Sequence, residues 1–249
     1  MKKIIALTLA LMLSVCCFAG CGSNGGDDKT LTMATNAEFP PFEYIENNEV
    51  VGADVDIAKA IAEKLGMKLE ITNIDFDAAL TGAATGKYDV AIAGVTANDE
   101  RRKNMGFTDD YYTASQAIIV MADSDIKTAA DLTGKTVSCQ EGTTGEQYLL
   151  DNGYTVQSFK TGAEAITALT SGKVAAVVID NAVANALSSK QAGKTKVLDE
   201  ALTKEAYAIA TKLGNDKLIA DINKALAELK TEGKLAEIFA RYDLPYDAE

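Results

Sequence analysis

Apolar residues along this chain follow two spacings, one typical of strands and one typical of helices. Short apolar runs predict strands at residues 31–35, 69–73, 90–95, 136–140, 155–159 and 174–179. Apolar residues at helical spacing predict helices at residues 55–65, 77–85, 144–150, 163–171, 181–189, 216–230 and 234–242. The first helix is expected to start at Asp54 or Asp56 and to stop at Gly66. Strands that alternate with helices indicate an α/β fold with mostly parallel sheets.

A weak internal repeat indicates two lobes of similar topology. The segments at residues 79–92 and 165–178 each contain a helix, a Gly-Lys turn and a buried strand, at a constant offset. This offset places Gly94 and Asp180 at corresponding strand ends. Ligands of open α/β sheets bind beyond the carboxyl ends of the strands, so we expect a cleft between the lobes.

The first residues predict export and a lipid anchor. Lys2 and Lys3 precede a short apolar run that ends at Phe18-Ala19-Gly20-Cys21. The run is shorter than the ~20 residues of a spanning helix, so residues 1–21 are typical of a secretory signal. The end of this signal resembles a bacterial lipobox, in which Cys21 becomes lipidated. An ordinary cleaved signal with an incidental cysteine is the alternative. The composition of residues 22–30 predicts a flexible tether. Together these features predict an extracytoplasmic protein that is held at the cell membrane by a palmitate-type lipid anchor.

Composition excludes several kinds of chemistry. The chain has 36 acidic and 24 basic residues and a net charge of −12, without a basic cluster, so nucleic acid is not an expected partner. The absence of histidine excludes Ser-His-Asp and Cys-His catalysis and imidazole metal sites. Cys139 is the only cysteine after residue 21, which excludes a disulfide framework. We expect no catalytic residue, no metal and no cofactor.

Two adjacent arginines begin a predicted helical turn after the strand at residues 90–95. The turn starts near Asn98 or Asp99 and carries Arg101 and Arg102. Cations at a helix start oppose the helix dipole at a cost of roughly 0.3–1 kcal/mol. Either the neighbouring acidic residues compensate in a solvated charge cluster, or one guanidinium binds a ligand carboxylate in a bidentate fork.

A second turn and a strand end each allow two interpretations. The turn at residues 140–146 contains Thr143 and Thr144, which either cap a helix or leave backbone N–H groups free to bind an anion. Asp180 either caps the helix that starts at Asn181 or faces a ligand ammonium group.

Two phenylalanines near predicted strand ends are further candidates. Phe39 lies in a proline-containing loop after the first strand, and Phe76 directly precedes the helix predicted at residues 77–85. Most phenylalanines are core residues, but this pair could also enclose the apolar stem of a ligand.

Several segments match one known family in a fixed order. They are TNAEFPPFE at 35–43, VGADVD at 51–56, DFD at 75–77, DVAIAGVT at 89–96, DERRK at 99–103, FTDDYY at 107–112, DLTGK at 131–135 and QEGTT at 140–144. The chain after the tether thereby resembles the polar amino-acid family of extracytoplasmic solute-binding proteins, the receptors of ABC importers. The resemblance implies a type II periplasmic-binding-protein fold that closes on its ligand. Lobe 1 would comprise residues 31–113 and 209–249, and lobe 2 residues 114–208.

The resemblance also implies roles for the candidate residues. Arg101, Thr96 and Thr144 would bind the ligand carboxylate, and Asp180, Gly94 and Thr96 would bind its ammonium group. The side chain would contact Asn36, Glu38, Phe39, Phe76, Gln140 and Thr143. Many members with basic ligands carry Asp at the position of Asn36, although Glu38 could restore a negative charge. The sequence therefore does not decide between glutamine, other neutral polar amino acids, basic amino acids and cystine as the ligand.

The implied partners are a free amino acid and the permease subunits of an ABC importer. The receptor would be a monomer that touches the membrane only through its lipid anchor, and it would carry out no catalysis. Two alternatives remain. Some dehydratases of aromatic amino-acid precursors resemble this fold and would need a carboxylic acid such as Glu38 or Glu141. A sensor module of a signalling receptor is the other.

Overall fold

The computed structural model describes residues 29–246, so the predicted signal and Cys21 lie outside the described residues. The strands are β1 (Thr30–Thr35), β2 (Glu38–Phe39), β3 (Glu43–Glu46), β4 (Glu49–Val51), β5 (Lys68–Asn73), β6 (Val90–Ala91), β7 (Met105–Ala114), β8 (Gln116–Met121), β9 (Thr136–Gln140), β10 (Thr155–Phe159), β11 (Ala176–Asp180), β12 (Thr195–Val197) and β13 (Glu205–Lys212). The helices are α1 (Ala53–Leu65), α2 (Phe76–Thr85), α3 (Asp99–Arg102), α4 (Thr144–Asp151), α5 (Gly162–Thr170), α6 (Asn181–Ser189), α7 (Asp216–Thr231) and α8 (Lys234–Arg241), with a 3₁₀ turn at Ala129–Leu132. Within residues 29–246, no helix is both long and apolar enough to cross a bilayer.

Two five-stranded sheets form the centres of two lobes. The first lobe has the order β5-β1-β6-β13-β7, in which β13 is antiparallel to both of its neighbours. The second has the order β10-β9-β11-β8-β12, in which β8 is antiparallel to both of its neighbours. All other strands of a sheet run in one direction, so the predicted α/β fold with mostly parallel sheets is confirmed. Helices α1, α2, α7 and α8 pack on the first lobe, and α4, α5 and α6 on the second.

Two connections join the lobes. The first is the direct step from β7 to β8, where Ala114 and Gln116 are separated by one residue. The second runs through residues 198–204, from β12 to β13. The chain pairs with β7 from Glu205 onward, so it re-enters the first sheet before residue 209, the predicted boundary. The antiparallel strand of each sheet is thus the one that arrives from the other lobe.

The start of α1 differs from the prediction. Gly52 is the N-cap residue, with φ +129°, and no side chain caps the helix. A Cβ at Gly52 would overlap the carbonyl oxygen of Phe42, so this position favours glycine both sterically and conformationally. Asp54 is fully buried instead of capping, and it accepts hydrogen bonds from the Gly94 N–H at 2.8 Å and the Tyr111 hydroxyl at 2.9 Å. The predicted stop at Gly66 is confirmed by its left-handed conformation.

The predicted strand at residues 90–95 is paired only at Val90–Ala91. The following residues remain buried through Thr96, but the chain leaves the ladder and passes Gly94 in a left-handed conformation. This irregular segment brings backbone groups of the first lobe to the space between the lobes.

Candidate functional site

Residues at the carboxyl ends of strands from both sheets surround one hollow between the lobes. The lobes are nearly closed over this hollow, whose cavity volume is about 10 Å³. Its lining comprises Asn36, Phe39, Glu43, Phe76, Ala93, Gly94 and Arg101 from the first lobe, and Gln140, Thr143, Thr144 and Asp180 from the second. The position matches the rule that open α/β sheets bind ligands beyond the carboxyl ends of their strands.

Arg101 provides a cation in this hollow. Its backbone N–H is held by the Asn98 side chain, which caps α3 at 2.8 Å. Its guanidinium donates to the carbonyl oxygens of Thr96 at 2.9 Å and Gly142 at 3.1 Å, and the second bond crosses between the lobes. Burial lowers the pKa of Arg101, while the nearby Asp180 and Glu205 carboxylates oppose this shift. Because the pKa of an arginine starts above ~12, the side chain stays charged.

The neighbouring arginine behaves differently. Arg102 is exposed, and its guanidinium lies 5.3 Å from the ring centre of Phe107. Its Nε donates to the Ala97 carbonyl at 3.2 Å. Each of the two interpretations of this turn, a ligand-binding guanidinium and a solvated charge cluster, therefore applies to one of the two arginines. Arg101 faces the hollow, and Arg102 belongs to the solvated surface.

Asp180 provides an anion on the wall formed by the second lobe. It occupies the N-cap position of α6, but its side chain makes no capping hydrogen bond. The Tyr207 hydroxyl donates to Oδ1 at 2.5 Å. Burial raises the pKa of Asp180 to about 6, with a further contribution from Glu205, and hydrogen bonds from Tyr207 and Gln116 oppose the increase. The carboxylate is thus mostly ionised at neutral pH, and its geometry favours the ligand-facing interpretation.

Two amides meet across the hollow. Gln140 Nε2 donates to Asn36 Oδ1 at 3.0 Å, and Asn36 Nδ2 donates to the Ile74 carbonyl at 3.1 Å. Gln140 Oε1 is buried and has no hydrogen-bond partner in the described part of the chain. A buried amide oxygen without a donor is costly, so this atom is a ready acceptor for an N–H group of a ligand.

The threonines and phenylalanines complete the lining. Thr143 accepts a hydrogen bond from the Glu146 N–H at 3.2 Å, so it caps α4 while also lining the hollow. Thr144 is the first residue of α4, where backbone N–H groups have no partner within the helix. Phe39 and Phe76 are both buried in the wall. Their direct contacts with a ligand stay predictions.

Two residues that were expected at the ligand do not line the hollow. Glu38 is exposed on β2, because its strand turns Phe39 inward and Glu38 outward. Thr96 is buried, but its hydroxyl donates to Glu205 Oε2 at 2.6 Å and its carbonyl accepts from Arg101. Thr96 therefore positions the guanidinium from outside the lining.

Sequence reasoning missed two acidic residues. Glu205 accepts hydrogen bonds from Thr96 of the first lobe, Thr144 of the second lobe at 2.8 Å, and Thr203 of the connection at 2.8 Å. Glu43 is fully buried in the wall of the hollow. Glu43 belongs to one of the matched family motifs, and this membership could have pointed to a role in the site. Glu205 lies in no such motif, and no local sequence pattern distinguishes it from a surface residue.

A hollow between two α/β lobes, with a cation on one wall and an anion on the other, defines a two-lobed solute-binding protein. The chain belongs to the bacterial extracellular solute-binding proteins, family 3, whose family model matches residues 31–244. It is 31% identical to the arginine-binding extracellular protein ArtP of Bacillus subtilis, over 96% of each chain. It is 33% identical to the ABC transporter arginine-binding protein 1 of Escherichia coli, over 96% of this chain and 97% of that one.

A solved structure agrees with these relatives. An ancestral arginine-binding protein bound to glutamine superimposes with a TM-score of 0.82 and 43% identity, over 86% of this chain and 97% of that chain. The resemblance stated from the sequence is thereby confirmed at the level of family and fold. The matched family consists of solute-binding proteins and not of enzymes, which leaves the dehydratase alternative without support.

Proposed function

We propose that this protein captures a polar amino acid between its lobes and delivers it to an ABC importer. The observation that carries the proposal is the half-buried Arg101 guanidinium and the buried Asp180 carboxylate in one hollow, on opposite lobes. An amino-acid zwitterion needs one fixed cation and one fixed anion in a site that excludes water. The names of the relatives, which include an arginine-binding protein of an ABC transporter, agree with this assignment.

In this proposal, Arg101 binds the α-carboxylate. Its guanidinium now donates to two neutral carbonyl oxygens. A ligand carboxylate would offer stronger, charge-assisted hydrogen bonds. The start of α4 at Thr144 adds a backbone N–H, because helix N-termini favour anions. Thr96 assists indirectly through its contact with the guanidinium.

Asp180 and the Gly94 carbonyl bind the α-ammonium group in the same proposal. Asp180 approaches from the second lobe and Gly94 from the first, so the ammonium group holds the lobes together. The ligand thus binds the closed state better than the open one, and this difference in affinity drives closure. The importer would recognise the closed form.

The ligand side chain would extend between Phe39 and Phe76 toward the amides of Asn36 and Gln140. The free oxygen of Gln140 can accept an N–H from either a glutamine amide or an arginine guanidinium. We therefore propose glutamine and arginine as the first ligands to test.

The test is a thermal-shift screen of the purified soluble domain against the common L-amino acids, followed by calorimetry. A ligand that binds only the folded state raises the melting temperature. We expect micromolar affinity or tighter, which corresponds to a binding free energy of about −8 kcal/mol or better. A screen with no shift for any amino acid would refute the proposal.

We also propose that Cys21 carries a lipid that anchors a monomeric receptor to the cell membrane. The lipobox-like end of the signal supports this proposal. Cell fractionation tests it. The wild-type protein should sediment with membranes, and Cys21→Ala should appear in the soluble extracytoplasmic fraction. Equal membrane association of both would contradict the anchor.

A further inference from the structure

Glu43 is a fully buried carboxylic acid in the wall of the hollow. Neither of its side-chain oxygens finds a hydrogen-bond donor among residues 29–246. An isolated carboxylate in such a place is costly by several kcal/mol or more, so the group either binds a proton or awaits a donor. The ligand site described above assigns no role to this residue.

Acidic and phenolic groups surround Glu43 on several elements. Asp54 of α1 and Asp180 at the end of β11 both raise the pKa of Glu43, although burial is the larger cause. The groups around this end of the hollow are Asp54, Tyr111 of β7, Asp180, Tyr207 and Glu205 of β13, and the cation Arg101 of α3. Negative charge therefore exceeds positive charge around Glu43.

Asp54 and Glu43 differ in their hydrogen bonds. Asp54 accepts from the Gly94 N–H and the Tyr111 hydroxyl, which stabilise its ionised form. Burial raises the pKa of Asp54 only to about 6, while the pKa of Glu43 lies well above its usual range. Of the two carboxyl groups, Glu43 thus favours the protonated form more strongly, and a hydrogen bond with Asp54 contributes to the increase of its pKa.

We propose that Glu43 is a second carboxylate for the amino group of the ligand, next to Asp180, and that it releases its proton to the solvent when the ligand binds. The proposal rests on the proposed function, because it needs an ammonium group in the hollow. One oxygen of Asp180 already accepts a hydrogen bond from the Tyr207 hydroxyl. An ammonium group has three N–H donors, so Asp180 alone does not satisfy them and a further acceptor is needed. The Glu43 O–H bond breaks, the proton passes to the buffer, and the carboxylate accepts a charge-assisted hydrogen bond.

The experiment is titration calorimetry of the wild type and Glu43→Gln, each in buffers that differ in ionisation enthalpy. A glutamine keeps an N–H donor toward Asp54, so the variant should fold with a similar melting temperature. We expect the wild type to release about one proton per ligand at neutral pH, with affinity that rises with pH as long as Glu43 is protonated in the free protein. Glu43→Gln should release none and should bind about tenfold or more weakly. The matched control is Glu49→Gln, because Glu49 is exposed on the adjacent strand β4.

The outcomes separate this inference from the proposed function. If the wild type binds no amino acid, the proposed function fails. If the wild type binds without releasing a proton, Glu43 does not act as proposed. The inference also fails if Glu43→Gln binds as tightly as the wild type, because glutamine mimics a carboxyl group that stays neutral. Should Glu43→Gln not fold, Glu43→Asp replaces it. That variant keeps the titratable group, and proton release should persist in it.

Discussion

Asp180→Asn should weaken ligand binding and stabilise the empty protein at the same time. The substitution removes the negative charge but keeps an oxygen that accepts from the Tyr207 hydroxyl. A ligand ammonium group would then be enclosed without its counter-charge. Loss of one partner from a buried charge pair costs about 2–5 kcal/mol. This corresponds to about 30-fold to about 5,000-fold weaker binding.

The effect on stability has the opposite sign. The folded protein raises the pKa of Asp180 from 3.8 to about 6, so the folded state binds more protons than the unfolded state between these values. Stability is therefore lost as the pH rises through this window, and at neutral pH the ionised Asp180 costs about 3 kcal/mol. An asparagine avoids this cost, so the variant should resist urea better than the wild type.

Two measurements check this pair of effects at neutral pH. Calorimetry with the amino acid identified by the screen gives the affinity, and urea unfolding without ligand gives the free energy of unfolding. Asp123→Asn is the matched control, because Asp123 is exposed in the second lobe and should change neither quantity. Unchanged affinity in Asp180→Asn would refute the assignment of Asp180 to the ligand ammonium.

Three further predictions follow from the same site. Arg101→Ala should weaken binding by about 2 kcal/mol or more in calorimetry, whereas Arg102→Ala, at the exposed neighbour, should not. Gly142→Ala should weaken binding more than Gly134→Ala. Both glycines have φ near +75°, but only at Gly142 would a Cβ overlap the Asp77 carboxylate across the cleft; equal effects would contradict this explanation. Ligand affinity should fall as the pH drops below about 6, because Asp180 then becomes protonated. The same decrease should occur in Glu43→Gln, and calorimetry at a series of pH values tests both expectations.

Local patterns were sufficient for elements whose signals lie within a few residues. Helix α6 was predicted with its observed bounds, and α2 ends at Gly86 as expected. Strands β7, β8 and β13 were missed, although they are long. In β7, Asp109 and Asp110 face outward and interrupt the apolar run. The pairing of β7 with β13 joins segments far apart in the chain, which no local pattern records.

The same distinction applies to the site. Arg101 and Asp180 could be found because each follows a buried strand, where ligand groups are expected. The prediction of Asp54 or Asp56 at the start of α1 was wrong, because position alone does not reveal that Gly52 is the N-cap residue and that the Asp54 side chain turns into the core. Glu205 was missed because its role depends on threonines that lie 109 and 61 residues away.

The position of β13 has a consequence for biosynthesis. β13 lies between β6 and β7 in the first sheet, yet it follows the whole second lobe in the chain. A nascent polypeptide therefore lacks an interior strand of its first sheet until Glu205–Lys212 has been synthesised. Until β13 is present, β6 and β7 lack the strand that lies between them, and the core of the first lobe is incomplete. Such delayed folding would suit the export signal proposed for residues 1–21, because a chain that is translocated in an extended form must not complete its fold beforehand.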